Sequence, residues 1–550
     1  MYIWDALYGK IEFGKLIYQC MLTPEVQRLR EVRLCNINSL CITGSANTNR
    51  YEHSVGTAFL AQINIESKLQ KHLRLSKQDK EVFIIAALLH DIANGPFGHS
   101  YEYIREKTGF IPEQGLCDLF NNVVATGTGA YKNETPFEPI FFRKLRQLTS
   151  LLTEKQKLDI SNIVSGKHHL SKLISASIDL DNIDNVFRMA FHMGLSFRKE
   201  APIKLATMMF IEDDEVKFLK EAKTYLDEWY IMREKVYKFL LLNPQEFAGK
   251  YMLTEAMDIL FECIAQNQSQ GITIKWNYTD YQLMNEIDKL KEVWIKRKTL
   301  LTDKIDEHEI NKIVKQNNDK QKYQLKEYIE GIHLDVPIKE KGKKSKTDHL
   351  LLSDNFSYEI KVAPEPNNTV NIINLKNRNM EFYINQNKMY KIVLVRYNPS
   401  KIVSRLMTGD LYCCLLIMQT SDITKYNTFL EYEKRITIED ELETRIHRII
   451  GYKSLSLGIH PILDVNKTER QLIIHFKGDS SNTTVGNISS KKLLLGVFIK
   501  NEPYGLEHGD KSSNPKLEIL RKTVKDYLTS FFNHNAEIIP LYEEADRYGN

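Results

Sequence analysis

Three separated segments of the 550-residue chain hold side chains that could do chemistry together. They are Arg50-Tyr51-Glu52-His53-Ser54, the run from Leu88 through His90-Asp91 and Asn94-Gly95-Pro96-Phe97-Gly98 to His99, and Ile178-Asp179-Leu180-Asp181-Asn182-Ile183-Asp184. The His90-Asp91 pair closes a strongly apolar stretch, where burying an unpaired carboxylate costs several kcal/mol. A divalent cation offsets that desolvation, and imidazole with carboxylate ligands suits Mn, Fe, Zn or Mg. The Gly-Pro-Phe-Gly turn lets backbone pack closely and brings His99 back toward the same place. Singly, each piece has an ordinary reading. A His-Asp dipeptide is common, His53 reads as a hydrogen-bonded helix histidine, and Asp181 reads as a helix-surface acid, as do Asp179 and Asp184. In the order His…His-Asp…Asp, each on or beside an apolar helix, they read as a metal site.

Helices must carry these residues. Thr23-Pro24-Glu25 predicts a helix start, because proline at the first helical position loses no hydrogen bond. Val55, Phe59, Leu60 and Ile63 recur at a 3.6-residue period within Tyr51–Leu69. Gln78–Leu89 passes from a charged first turn into apolar residues, the pattern of a helix inside a bundle. Lys172–Met193 reads as a further apolar helix with DLDNIDN at its middle, and 213–328 as helical but more charged. After the basic break Lys339–Lys346, which reads as a solvated loop, the texture changes to strand-length apolar runs. These are Leu350–Leu352, Tyr358–Val362, Ile392–Val395, Leu411–Met418, Leu472–Phe476 and Leu493–Ile499. One more amphipathic helix is expected over Lys516–Phe532. The fold class is mainly α, with a helical bundle over 1–335 and a smaller mixed α/β region over 336–550.

Composition sets outer limits. At this length two to four domains are expected. Hydrophobic residues make 42% and charged residues 27%, which excludes a wholly disordered or collagen-like chain. A net charge of +4 demands no polyanionic partner. Seven cysteines without a C-x-x-C pair suggest thiols in a reducing compartment. The first residues lack a signal-peptide core, and no apolar run approaches the ~20 residues of a membrane span. A cytoplasmic protein without membrane association is expected.

The ordered motifs resemble the HD superfamily of metal-dependent phosphohydrolases, and within it the SAM-and-HD-domain/dGTP triphosphohydrolase branch. The branch's opening is similar to Asp5, Gly9-Lys10-Ile11 and Gln27-Arg28-Leu29-Arg30. Its R-F-E-H-S-x-G resembles Arg50 through Gly56, its A-x-L-x-H-D-x-x-H-G-P-F-x-H resembles Ala86 through His99, and its D-x-D-x-x-D motif resembles Asp179 through Gly194. The resemblance covers about residues 1–260. It implies an HD-domain helical bundle whose metal ligands are His53, His90, Asp91 and Asp181. It further implies that His99 is a general acid oriented by Glu102, that Asp91 takes part in catalysis, and that Arg50 and Arg233 bind phosphate. Read on their own residues, Arg50 is equally a structural salt-bridge partner and Glu102 an exposed helix acid.

The implied reaction is water attack on the α-phosphorus of a (deoxy)nucleoside triphosphate, releasing nucleoside and triphosphate. The implied partners are a nucleotide substrate, a regulatory nucleotide and further copies of the chain. Nucleic acid is the less supported alternative. Departures from the pattern are Asn94 and Pro112 for histidines, Asn182 for a basic residue, Asn185 for a tyrosine, Met189 for an aspartate, and Leu34-Cys35-Asn36 for Q-L-G. The metal cage is kept while the sugar and phosphate contacts are rebuilt. Two rival readings follow: a phosphodiesterase or 5′-nucleotidase at the same cage, and a non-catalytic nucleotide-sensing or nucleic-acid-binding module.

Overall fold

The computed structural model describes residues 2–34, 48–98, 116, 120, 148–266, 272, 278–302, 358–363, 370–375, 380–385, 388–450, 456–461, 472–478, 483–485, 493–500 and 515–539. His99, Glu102, Pro112, Leu350–Leu352 and the basic run Lys339–Lys346 lie outside these residues.

The chain opens with an antiparallel hairpin, β1 (Tyr2–Asp5) and β2 (Gly9–Glu12), followed by helix α1 (Lys15–Met21). Two helices then bracket the first motifs. Helix α2 (Arg50–Glu66) starts at Asn49, whose side-chain oxygen accepts the amide of Glu52 at 2.9 Å. Helix α3 (Lys77–Leu89) starts in a reciprocal capping box between Ser76 and Asp79, and every residue from Val82 to Leu89 is buried. Helix α4 (Glu154–Val164) packs on α3.

Helix α5 (Leu180–His192) is shorter than the sequence suggests. Its N-cap is Asp179, so the DLDN cluster lies at the helix start, after a separate one-turn segment His169–Leu173. Asp179 accepts the amides of Asn182 and Ala176, which ends one backbone direction and begins the next. Helices α6 (Ala201–Met208), α7 (Lys223–Leu242), α8 (Pro244–Ala265) and α9 (Asp280–Asp288) complete the bundle. Thr23 precedes the short turn Pro24–Gln27 as expected, though its hydroxyl donates to Cys20 O at 2.7 Å rather than capping the turn.

Strands also enter the part read as purely helical. β3 (Met209–Glu212) and β4 (Glu215–Phe218) form a hairpin, and β5 (Val293–Thr302) replaces the helix expected there. The long-range partner decides: β5 pairs antiparallel with β9 (Lys388–Tyr397). β9 closes a five-stranded sheet with β6 (Tyr358–Ala363), β7 (Val370–Leu375) and β8 (Met380–Asn385). Helix α10 (Pro399–Thr408) leads into β10 (Cys413–Thr420), where both cysteines are free thiols.

Beyond it lie helices α11 (Ile423–Leu430) and α12 (Tyr432–Ile450), strands β11 (Leu457–Pro461), β12 (Leu472–Phe476), β13 (Thr483–Val485) and β14 (Leu493–Ile499), helix α13 (Pro515–Phe531) and strand β15 (Ala536–Ile539). The second sheet runs β11-β14-β10-β15, and β14 is buried at all seven positions. β12 joins the β3–β4 hairpin in parallel, with Phe476 opposite Phe218, so this sheet, the β5–β9 pairing and two of the cores tie the two sides of residue 335 together. Mainly α with a mixed α/β C-terminal part describes the result. Among the described residues, no helix is long and apolar enough to cross a membrane.

Candidate metal centre

Four side chains from three helices meet where α2, α3 and α5 pack together. His53 faces inward from the first turn of α2 and is 1% exposed. His90 is the C-cap of α3, Asp91 follows it, and Asp181 sits in the first turn of α5. His53 Nε2 lies 2.8 Å from Asp181 Oδ1 and 3.9 Å from Asp91 Oδ2. His90 Nε2 lies 3.6 Å from Asp181 Oδ1 and 3.7 Å from Asp91 Oδ1. One ligand atom from each of His53, His90 and Asp91 falls within 4.8 Å of the others, and Asp181 closes the ring from α5.

The ring nitrogens turned away from the centre explain this orientation. His53 Nδ1 is 2.7 Å from Asp184 Oδ2, and His90 Nδ1 is 2.8 Å from the Ala87 carbonyl. Each acceptor holds a proton on Nδ1 and so directs the Nε2 lone pair inward, the usual arrangement behind a metal-ligating histidine. His90 Nε2 is buried and has no hydrogen-bond partner. A buried nitrogen left unmatched costs free energy, and a cation at the centre would satisfy it. The donor set of two imidazoles and two carboxylates fits a divalent ion.

The electrostatics agree. Burial alone would depress the His53 pKa, yet hydrogen bonds to Asp181 and Asp184 push it up to about 10. His90 is raised against the same burial penalty by Asp91 and Asp181. Burial would raise Asp91, but Arg50, His90 and His53 hold it down at about 2. The cluster therefore favours positive charge at its middle, either a proton on His53 Nε2 facing Asp181 or a cation in place of that proton.

Arg50 belongs to the same place. Its Nη1 lies 2.5 Å from Asp91 Oδ2, the salt bridge that its own residues allowed. Asn94 donates to Asp91 Oδ1 at 2.7 Å, so this departure from the family pattern orients a carboxylate. Gly98 has φ +50°, and a Cβ there would stand 2.1 Å from Arg50 Nη2, so the turn admits only glycine beside the guanidinium. Arg28 pins the other side of the turn, donating to the carbonyls of Asn94 at 2.7 Å, Ile92 at 3.0 Å and Tyr278 at 3.1 Å. Asp280 on α9 accepts the Phe97 amide at 2.7 Å.

Other expectations fare differently. Asp179 and Asp184 are not surface acids; they are 1% and 0% exposed. Asp184 departs from the surface-acid reading because its partner His53 lies 131 residues earlier in the chain, beyond the Arg188 four residues on. Arg233 is buried on α7 with its guanidinium 4.9 Å from the Tyr237 ring. Met189 is buried, and Asn182 is tied to Asp179 through its amide nitrogen at 2.9 Å. His168 Nδ1 accepts the Leu170 amide at the start of its one-turn segment.

Residues 50–189 match the family model described as HD domain. The chain is 29% identical over 240 residues to the deoxynucleoside triphosphate triphosphohydrolase SAMHD1 of Mus musculus, covering 40% of this chain and 36% of that protein. It is 28% identical over 229 residues to the Bos taurus protein of the same name, covering 38% of each. It is also 25% identical over 244 residues to the uncharacterized protein YwfO of Bacillus subtilis, covering 44% of this chain and 52% of that one. The chain thus spans little more than a third of the length of the first two relatives. Residues 50–189 thus match an HD domain, and the chain is similar over part of its length to proteins named deoxynucleoside triphosphate triphosphohydrolase.

Proposed function

We propose that the chain hydrolyses (deoxy)nucleoside triphosphates to nucleoside and triphosphate, with His53, His90, Asp91 and Asp181 holding the divalent ion. The observation that carries this is the convergence of two inward Nε2 atoms on two carboxylates beside a buried arginine. A bound ion supplies Lewis acidity at a phosphoryl oxygen and makes water nucleophilic near neutral pH. The chain's own residues do the rest. Arg50, held by Asp91 and by the Gly98 turn, offers a planar donor fork to phosphate oxygens. Water adds to the α-phosphorus, the bond to the 5′ oxygen breaks, and that oxygen takes the proton that His99, oriented by Glu102, would donate. Arg233 would hold a further phosphate. Residues 336–550 would serve assembly into a homo-oligomer and control by a bound nucleotide. The names of the mammalian relatives support the substrate class.

The test is product analysis. Metal-loaded protein, offered every common dNTP and NTP in Mn²⁺ or Mg²⁺, should release inorganic tripolyphosphate from at least one. Monophosphate alone would move the reading to a phosphodiesterase or 5′-nucleotidase. The burial of Met189 and the tethering of Asn182 favour that second reading, since both stand where the resembling family contacts the triphosphate substrate.

A further inference from the structure

Asp184 lies behind His53, and the structure shows what holds Asp184. Its carboxylate has all four lone-pair directions occupied. Oδ2 meets His53 Nδ1 at 2.7 Å and Arg188 Nε at 2.9 Å. Oδ1 accepts the Tyr8 hydroxyl at 2.7 Å and Arg188 Nη2 at 3.0 Å. Arg188 is fully buried, and its Nη1 is 3.0 Å from Asp5 Oδ2. Asp5 in turn caps the β1–β2 turn, accepting the amides of Leu7 and Tyr8 at 2.9 Å each. Tyr8 is fixed from its ring as well, 5.2 Å from Phe59 on α2. A residue 176 positions away therefore reaches the hydrogen-bond partner of His53.

We infer that the N-terminal hairpin is a working part of the metal centre, with Asp184 as the positioning residue for His53, Tyr8 locking Asp184 through its hydroxyl on Oδ1 and Asp5 locking it through Arg188. This rests on the metal reading of His53. With every lone pair taken, the carboxylate cannot rotate, so His53 keeps one tautomer and one ring angle. Removing the Tyr8 hydroxyl opens one lone pair and lets Asp184 swing toward Arg188. Removing the charge of Asp184 weakens the basicity of His53 Nε2. Partners behind a ligand commonly change metal affinity by about 10–100-fold.

The experiment uses the full chain stripped of metal and titrated with Mn²⁺, with the Co²⁺ visible spectrum as a report on ligand geometry. Asp184→Asn should weaken Mn²⁺ binding about 10–100-fold, and Tyr8→Phe about 3–10-fold, each with an altered Co²⁺ spectrum. Tyr2→Ala, at an exposed hairpin position, should bind as the parent does. Parent-like Mn²⁺ affinity and Co²⁺ spectrum in Tyr8→Phe overturn the hairpin's role, even where its thermal midpoint falls. Equal weakening in Tyr2→Ala overturns it too, because the effect would then be general to the hairpin. Should Asp184→Asn not fold, Tyr8→Phe decides alone. A parent protein that takes up no metal brings down the metal reading itself, a different result from variants that bind normally.

Discussion

Alanine at position 56 would place a methyl group inside the hardest-packed contact of the centre. A Cβ on Gly56 would stand 2.0 Å from Asp184 Oδ1 and 2.3 Å from Arg188 Nη2, where ordinary contact begins near 3.4 Å. Asp184 must therefore retreat by about 1.4 Å, enough to break a charge-assisted hydrogen bond. Two effects compete. Alanine gains about 1 kcal/mol of helix propensity over glycine inside α2. Disrupting a buried, hydrogen-bonded ion pair costs about 3–5 kcal/mol, because the surviving charges stay buried without full partners. The loss should win by about 2–4 kcal/mol. Urea unfolding of the metal-stripped variant, followed by circular dichroism, measures it, and Gly56→Ala should also bind Mn²⁺ more weakly. A variant as stable as the parent or more so would show that α2 and α5 do not approach through this glycine, and would refute the reasoning. A double-mutant cycle with Asp184→Ala sharpens the test, since the two losses should not add.

Asp181→Ala should abolish tight metal uptake and lower turnover at least 100-fold; metal analysis alongside the nucleotide assay reads both. Gly98→Ala should displace Arg50 and strain a left-handed turn, reducing kcat/KM at least tenfold while the metal content stays at that of the parent. Glu246 on α8 is 1% exposed with neither carboxylate oxygen hydrogen-bonded, and burial pushes its pKa up to about 8. The native state therefore holds that proton after the unfolded chain has lost it, so stability falls as pH rises from about 4.5 to 8. Glu246→Gln removes this slope. Its advantage over the parent should grow by about 3 kcal/mol between pH 4.5 and 7, measured by urea unfolding at each pH.

Much of the centre was legible in the residues alone. His53, the His90-Asp91 pair and Asp181 each read as ordinary singly, and it is their order along apolar helices that points to one site. The helices that carry them also follow from local rules. Asn49 and Ser76 cap them, and the run Val82–Leu89 has no polar face to give to solvent. The lengths of α2, α3 and α13 agree with the periodic pattern to within a few residues.

What tertiary structure alone decided is the set of groups that hold those side chains from behind. Asp184 looks like any helical acid until Tyr8, His53 and Arg188 converge on it. The ion pair of Arg50 is fixed only once the fold stands Asp91 beside it. Val293–Thr302 reads as helix until β9 supplies a hydrogen-bonded partner nearly a hundred residues later. The physical reason is common to all three. A ligand's chemistry, a cap or an apolar period is local and therefore written in neighbouring residues, whereas the burial that sets a charge's partner or a strand's ladder arises from segments that meet only in the folded chain.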